Sequence, residues 1–443
     1  MKSELFFYLF GLVKGFNMSA NKRLVKESQY WSAEQIEKYQ MDMLAPLLQH
    51  AYNHVPFYRR RFDSLKIKPI DIRKTSDLNQ LPIIRKKDIM PISEEFLADN
   101  YISFKSMKTV TGGTTGTPFP HYTDYKAWAM GWGLAMRTFE WGGYRYGKDR
   151  LAVMAGGSLL PNNNQGLKNR IKSYINNYYT MPITHMNATM MDGYFSKIKK
   201  QKIRFLRGYP SAIYTFAEHL SQRQQTLPFD AVFTTAEMLY PHQRSLMKKV
   251  FLCDIYDTYG CRDGMGMAVE CEMHKGMHIC PEMSIMHIVD ESGKEVNAGE
   301  TGEVVLTSLY DYGMPLIRYA PGDQAIKSDR KCGCGRSLPM IEKIIGRSSD
   351  IFKLINGRVL NGLSIPLEEL IIEVDKFQIV QEALDRVEIL LIPRGELTQE
   401  RLQSIEEMLA FHCGEGVKVK AKIVDSIEVP SSGKFNYVIS KVN

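Results

Sequence analysis

Four short apolar runs, at residues 151–154, 203–206, 231–233 and 252–255, limit the fold more than any other feature of the chain. Runs of this length suit strands buried on both faces, and longer stretches with helical patterning separate them. Strands alternating with helices in this way imply an α/β fold with helices layered on a sheet. Nearer the start, Ser32 with Gln35 three residues on forms a capping box, and Ile36, Tyr39, Met43, Leu47 and Ala51 then recur at helical spacing until Pro56. An amphipathic helix is expected there, with a kink at Pro46.

After Arg347 the texture changes. Residues 351–355 and 358–360 flank Asn356 and Gly357, the pair preferred in a two-residue hairpin turn that needs positive φ. A strand at 387–392 follows, then a helix carrying Leu402, Ile405, Met408 and Leu409 that stops near Gly414, then an alternating strand at 417–424. The expected organisation is therefore a large layered N-terminal domain, residues 1–346, and a small α+β C-terminal domain, residues 347–443. A length of 443 residues accommodates both.

Composition narrows the class. Hydrophobic residues at 44% and charged residues at 24% make an ordinary globular mixture, without repeats or low-complexity segments. The net charge of +8 helps an anionic nucleotide arrive but is too diffuse for a nucleic-acid groove, and Lys197, Lys199, Lys200 and Lys202 read as a solvated face. All seven cysteines lie at or beyond Cys253, an odd number in a chain with no need of disulfides, which points to a reducing cytoplasm. The apolar run 6–13, between Lys2 and Lys14, is too short to span a bilayer; it reads as a buried segment or a weak surface anchor.

The strongest chemical signal is Thr111-Gly112-Gly113-Thr114-Thr115-Gly116-Thr117-Pro118. Glycines let backbone N–H groups form an anion nest, and threonine hydroxyls add hydrogen bonds to phosphate oxygens. An ordinary polar turn is the alternative. No lysine follows Gly116, so the P-loop pattern does not fit, and no Gly-x-Ser-x-Gly elbow offers a seat for serine hydrolysis.

This loop resembles the phosphate-binding motif of adenylate-forming enzymes, and its surroundings resemble the phenylacetate-coenzyme A ligase branch, which includes capsule-biosynthesis members. The further elements, in family order over nearly the whole chain, are Gly208-Tyr209-Pro210-Ser211, Thr235-Ala236-Glu237, Tyr256-Asp257-Thr258-Tyr259-Gly260, Met314-Pro315-Leu316-Ile317-Arg318-Tyr319 with Gly322-Asp323, Gly346-Arg347 with Asp350, and Ser432-Gly433-Lys434. The resemblance implies an ATP-dependent ligase that makes an acyl-AMP from a carboxylic acid and passes the acyl group on.

It also implies roles. Residues 111–116 and Glu237 would belong to the nucleotide site, with Thr115 among the catalytic groups. Tyr259, beside Gly260, would stack on adenine while Asp257 accepts from its amino group; a core tyrosine and a surface turn are the alternatives. Asp323 would hold the ribose diol and Arg347 would lie near ribose or phosphate, with structural salt bridges as the rival reading. Where the family usually has a glutamate for magnesium, this chain has Cys261-Arg262-Asp263. Asp263 is one methylene shorter but still offers a hard oxygen; a structural carboxylate is the alternative. Lys434 would stabilise charge building on the α-phosphate during attack, and Asp350 would be the hinge between half-reactions.

Cys271, His278, Cys332 and Cys334 form a second constellation, and thiolates with an imidazole suit tetrahedral zinc. Some branches of the family carry such a zinc; here it would be structural, with His274 or Cys280 as substitute ligands and unlinked buried thiols as the alternative. Trp128, Trp132 and Tyr209 would face the acid or belong to the core. Coenzyme A is the family's default acceptor, and an amine or hydroxyl of a surface polysaccharide precursor is the competing one. A catalytically silent nucleotide-binding protein and a zinc-stabilised interaction or nucleic-acid module are readings from other classes.

Overall fold

The computed structural model describes residues 2–110, 119–155, 176–183, 186–347, 351–357, 359–361, 373–428 and 435–442. The chain divides into two compact units, Met1–Pro321 with Ala325–Ile344, and Gly322–Gln324 with Ile345–Asn443.

The large unit opens with three helices, α1 (Lys2–Lys14), α2 (Met18–Ser28) and α3 (Ala33–His54). The capping box is present: the Gln35 N–H donates to Ser32 Oγ, and the Ser32 N–H donates to Gln35 Oε1 at 2.9 Å. Ile36, Leu47 and Ala51 are buried as the periodicity required, and Pro46 lies inside the helix. The short strand β1 (Ile84–Arg85) and a hairpin of β2 (Met107–Val110) and β3 (Pro120–Thr123) precede helix α4 (Tyr125–Trp141).

All four apolar runs fall in or overlap strands, β4 (Leu151–Ala155), β6 (Phe205–Gly208), β7 (Ala231–Thr235) and β8 (Asp254–Cys261). With β5 (Tyr178–Pro182) they form a parallel block in the order β5-β4-β6-β7-β8. Helices α5 (Ala188–Gln201), α6 (Pro210–Gln222) and α7 (Pro241–Phe251) cross between successive strands. Every residue of β7 is buried, the mark of a strand covered on both faces. The sheet continues antiparallel through β9 (Gly266–Glu270) and β10 (Met277–Ile279), and includes β11 (Ser284–Val289), β12 (Thr301–Ser308), β13 (Tyr319–Ala320), β14 (Asp323–Ser328) and β15 (Met340–Arg347); with β1 paired to β13 it has thirteen strands among the described residues.

The small unit pairs β16 (Ile351–Lys353) with β17 (Val359–Asn361), and its four-stranded sheet runs β20-β19-β18-β21, from β18 (Val374–Ala383), β19 (Arg386–Pro393), β20 (Lys418–Ile423) and β21 (Val438–Ser440). Helix α8 (Gln399–Cys413) stops at Gly414, whose φ is 83°. One expectation needs correction. The last pair of the ladder is Lys353 with Val359, so Asn356-Gly357 is not a two-residue turn. The Asn356 side chain instead donates to the carbonyls of Cys413 and Glu415, at 3.0 and 2.9 Å, fastening a longer loop to the end of α8.

Candidate nucleotide site and cysteine-histidine cluster

In an open parallel sheet, ligands bind beyond the carboxyl ends of the strands. Three of the expected elements meet there, because Gly208, Thr234 and Asp257 stand in register on β6, β7 and β8. Gly208 allows the close approach: a Cβ on it would lie 2.0 Å from the Met154 carbonyl oxygen on β4. Glu237, after Ala236 in a left-handed conformation (φ 73°), accepts from the Ser211 N–H at 3.0 Å. That bond satisfies a free donor in the first turn of α6 and joins residues 208–211 to residues 235–237.

Asp257 and Tyr259 are two apart on β8 and so share a face of the strand. Thr234 Oγ1 donates to Asp257 Oδ1 at 2.6 Å. The Asp257 N–H donates to Glu270 Oε2 at 3.0 Å, and Arg244 Nη2 reaches both Glu270 oxygens at 2.8 and 2.8 Å. Burial first, and the charge of Glu270 second, push the Asp257 carboxyl up to about 7. Glu270 itself is held below its ordinary value, its burial outweighed by His274 and Arg244.

Asp263 accepts from Tyr319 Oη at 2.6 Å and from Cys261 Sγ at 3.1 Å. The Tyr319 ring stacks on Phe119, at 6.2 Å, and Phe119 stacks on His121, at 5.6 Å, so this carboxylate is tied to the strand that follows residues 111–118. His121 is buried, bonds Thr109 Oγ1 through Nε2 at 2.9 Å, and has its pKa lowered by that burial. The same strand is anchored at Asp124, which accepts from Ser106 Oγ at 2.5 Å and from the N–H groups of Tyr312 and Gly313. The Asp124 N–H in turn donates to Asp311 Oδ1 at 2.9 Å.

Asp323 opens β14 and is buried. Arg347 ends β15, with its side chain outside the described residues. Thr111, Gly112, Gly113, Thr114, Thr115, Gly116, Asp350 and Lys434 also lie outside them. Trp128 and Trp132 pack on Phe7 of α1, at 6.2 and 6.0 Å, and Tyr209 is fully buried in the same cluster.

The ligand atoms of Cys271, His278, Cys332 and Cys334 all lie within 4.8 Å of one another. Cys271 Sγ is 3.6 Å from Cys332 Sγ, and Cys334 Sγ is 3.4 Å from His278 Nε2. His278 comes from β10, Cys271 follows β9, and the other two sit in the loop before β15, with Gly335 at φ 81° turning the chain. Three sulfurs and one imidazole nitrogen facing a common centre fit a tetrahedral soft-metal site. Burial first, and the neighbouring Cys332 and Cys334 thiols after it, push the Cys271 thiol up to about 12.

Sequence reasoning did not single out Thr234, Arg244, Glu270 as a buttress, His121, Asp124 or Asp311. Each is an isolated polar residue whose partner is distant in the chain, and no local pattern marks it.

Residues 355–441 match the CapK C-terminal domain. Over 382 residues the chain is 24% identical to Protein CapK of Staphylococcus aureus, covering 83% of this chain and 81% of that one. It is 26% identical over 409 residues to the phenylacetate-coenzyme A ligase of Pseudomonas putida, covering 85% and 86%. The chain is thus similar, over most of its length, to phenylacetate-coenzyme A ligases and to CapK. Its fold is that of adenylate-forming ligases: it superposes on 2-hydroxyisobutyryl-CoA ligase, solved in the postadenylation state with R3-HIB-AMP, with a TM-score of 0.73 and 19% identity over 94% of this chain and 93% of that one. The larger α/β unit and the smaller α+β unit correspond to that architecture.

Proposed function

We propose that the chain is an AMP-forming carboxylate ligase that converts an acid and ATP to acyl-AMP and pyrophosphate, then transfers the acyl group, with coenzyme A the first choice of acceptor. The observation that carries this reading is the floor beneath Asp257 and Tyr259, where Thr234 and the Arg244–Glu270 pair fix β8 at the carboxyl end of a parallel sheet. Tyr259 offers a ring for adenine, and Asp257 an acceptor for its amino group. Asp323 is assigned to the ribose diol, residues 111–116 to the phosphates and Arg347 to the region between them.

A carboxylate is a poor electrophile, and attack on the α-phosphate converts it to a mixed anhydride with a good leaving group. Lys434 would meet the charge that builds there, favouring the transition state over the ground state. Asp263, oriented by Tyr319 and Cys261, is the residue assigned to magnesium. When bound, the ion would neutralise phosphate charge. Asp350 is assigned to the hinge. Cys271, His278, Cys332 and Cys334 would hold a structural zinc that ties the loop before β15 to β9 and β10. Seven cysteines outside any disulfide suit a cytoplasmic enzyme.

A second reading, transfer to an amine or hydroxyl instead of coenzyme A, draws on the CapK match across the small unit. The test is pyrophosphate release with a panel of acids, followed by AMP release with coenzyme A, pantetheine or amino sugars added. No pyrophosphate with any acid, despite measurable ATP binding, would leave a silent nucleotide-binding protein. Acceleration by an amine alone would replace coenzyme A.

A further inference from the structure

Helix α1 is apolar on both sides. Inward, Phe7 is 4% exposed and packs on Trp128, Trp132 and Tyr146, while Phe10 meets Tyr125 and Trp128 edge-on at 5.7 and 5.8 Å. Outward, Tyr8, Leu9, Leu12 and Val13 are 62%, 53%, 66% and 66% exposed. Spaced at i, i+1, i+4 and i+5, they form one stripe. A helix with apolar residues all round is normally covered all round, and no described residue covers this stripe.

The two opening helices are basic overall. Residues 1–28 contain Lys2, Lys14, Lys22, Arg23 and Lys26 against Glu4 and Glu27. Lys105, exposed, donates from Nζ to the Val13 carbonyl at 2.7 Å, capping the free end of α1 and setting its charge at the rim of the stripe. Ile102, in the same turn as Lys105, is 76% exposed. Lys14 lies over the Tyr125 ring at 4.3 Å, so the C-terminal end of the helix is held to α4.

We propose that α1 is an interfacial helix that seats the enzyme on an anionic lipid bilayer, with Tyr8, Leu9, Leu12, Val13 and Ile102 in the acyl boundary and the basic residues among the headgroups. At 13 residues α1 is too short to span the hydrocarbon core, and no described helix is long and apolar enough to cross a membrane, so the helix lies in the plane of the surface. The charge around the stripe selects a bilayer over a second copy of the chain, since two such basic rims would repel each other.

The test is cosedimentation of the full chain with vesicles of phosphatidylcholine plus phosphatidylglycerol, and with vesicles of phosphatidylcholine alone. Binding to the first, weakened by added salt, is the expected result. Leu9→Asp with Leu12→Asp should lower it by about tenfold or more while leaving the circular dichroism spectrum unchanged. Tyr8→Ser with Val13→Ser, a milder change on the same stripe, should lower it in the same direction. No binding to either vesicle, equal binding to both, or binding unaltered in both variants overturns the proposal. So does a dimer by light scattering that either double variant converts to monomer, because the stripe would then be covered by a second copy.

Discussion

Replacing Asp311 by asparagine should stabilise the large unit, and increasingly so as pH rises. Asp311 is 3% exposed; among the described residues its carboxyl meets the Asp124 N–H, which donates to Oδ1, and Ser308 Oγ, 2.8 Å from Oδ2. Asp124, its neighbour, takes donors from Ser106, Tyr312 and Gly313, so the proton of the pair resides on Asp311. Burial first, and the charge of Asp124 second, push Asp311 up to about 8 from 3.8. The sign follows from linkage. Between those two values the folded chain holds a proton that the unfolded chain has released, so stability is greatest at low pH and falls as pH rises.

Asparagine supplies an oxygen for the Asp124 N–H and an NH2 for Ser308 Oγ, reproducing the protonated acid without the titration. Each pH unit inside the window is worth about 1.36 kcal/mol. From about pH 5 to about pH 7 the wild type should therefore lose roughly 2.7 kcal/mol relative to the variant. Urea unfolding of both proteins at the two pH values measures this directly, and the other titrating groups cancel in the difference. Parallel pH dependences for the two proteins would show that Asp311 titrates as it does in the unfolded chain, and would refute the argument.

Lys434→Ala should slow pyrophosphate release roughly a hundredfold, about 3 kcal/mol, with ATP affinity nearly unchanged; an unaltered rate removes the lysine from the chemistry. Binding of AMP should strengthen about fivefold as pH rises through the value of Asp257, about 7, because the ionised carboxylate is the better acceptor. Calorimetry on Asp257→Asn should find that dependence gone, and its persistence would separate Asp257 from adenine. Purified protein should carry one zinc per chain, and Cys332→Ser should lower both zinc content and thermal stability. Metal analysis near zero in wild type would make the four residues a thiol cluster without an ion.

The parts of this molecule that were legible in the sequence are those whose cause is local. Residues 231–233 read as strand because a doubly covered strand must be apolar throughout, and Ser32 with Gln35 read as a helix start because capping is a three-residue affair. Strands β18 and β21 went unread: β18 carries Lys376, Gln378 and Gln381 among its apolar residues, and β21 has only three residues. The Asn356-Gly357 turn was misassigned because propensity cannot see that the Asn356 side chain is engaged by Cys413, 57 residues on.

The candidate site divides along the same line. Loops that need glycine or a special backbone announce themselves, whereas the groups that hold them do not: Asp124 and Asp311 are 187 residues apart, Tyr319 and Asp263 are 56. Asp263 shows what this conceals. Against the glutamate expected from the resemblance it reads as a shortened side chain, a loss of reach toward an ion. In the fold it accepts from Tyr319 Oη and Cys261 Sγ, and two donors fix a short carboxylate better than a long one, which has another rotatable bond to immobilise. Tyr319 also stacks on Phe119, so the orientation of Asp263 and the strand after residues 111–118 are set by one chain of contacts. The shorter acid and its tyrosine partner therefore form a unit, and the geometry at this position is decided by Tyr319 as much as by Asp263.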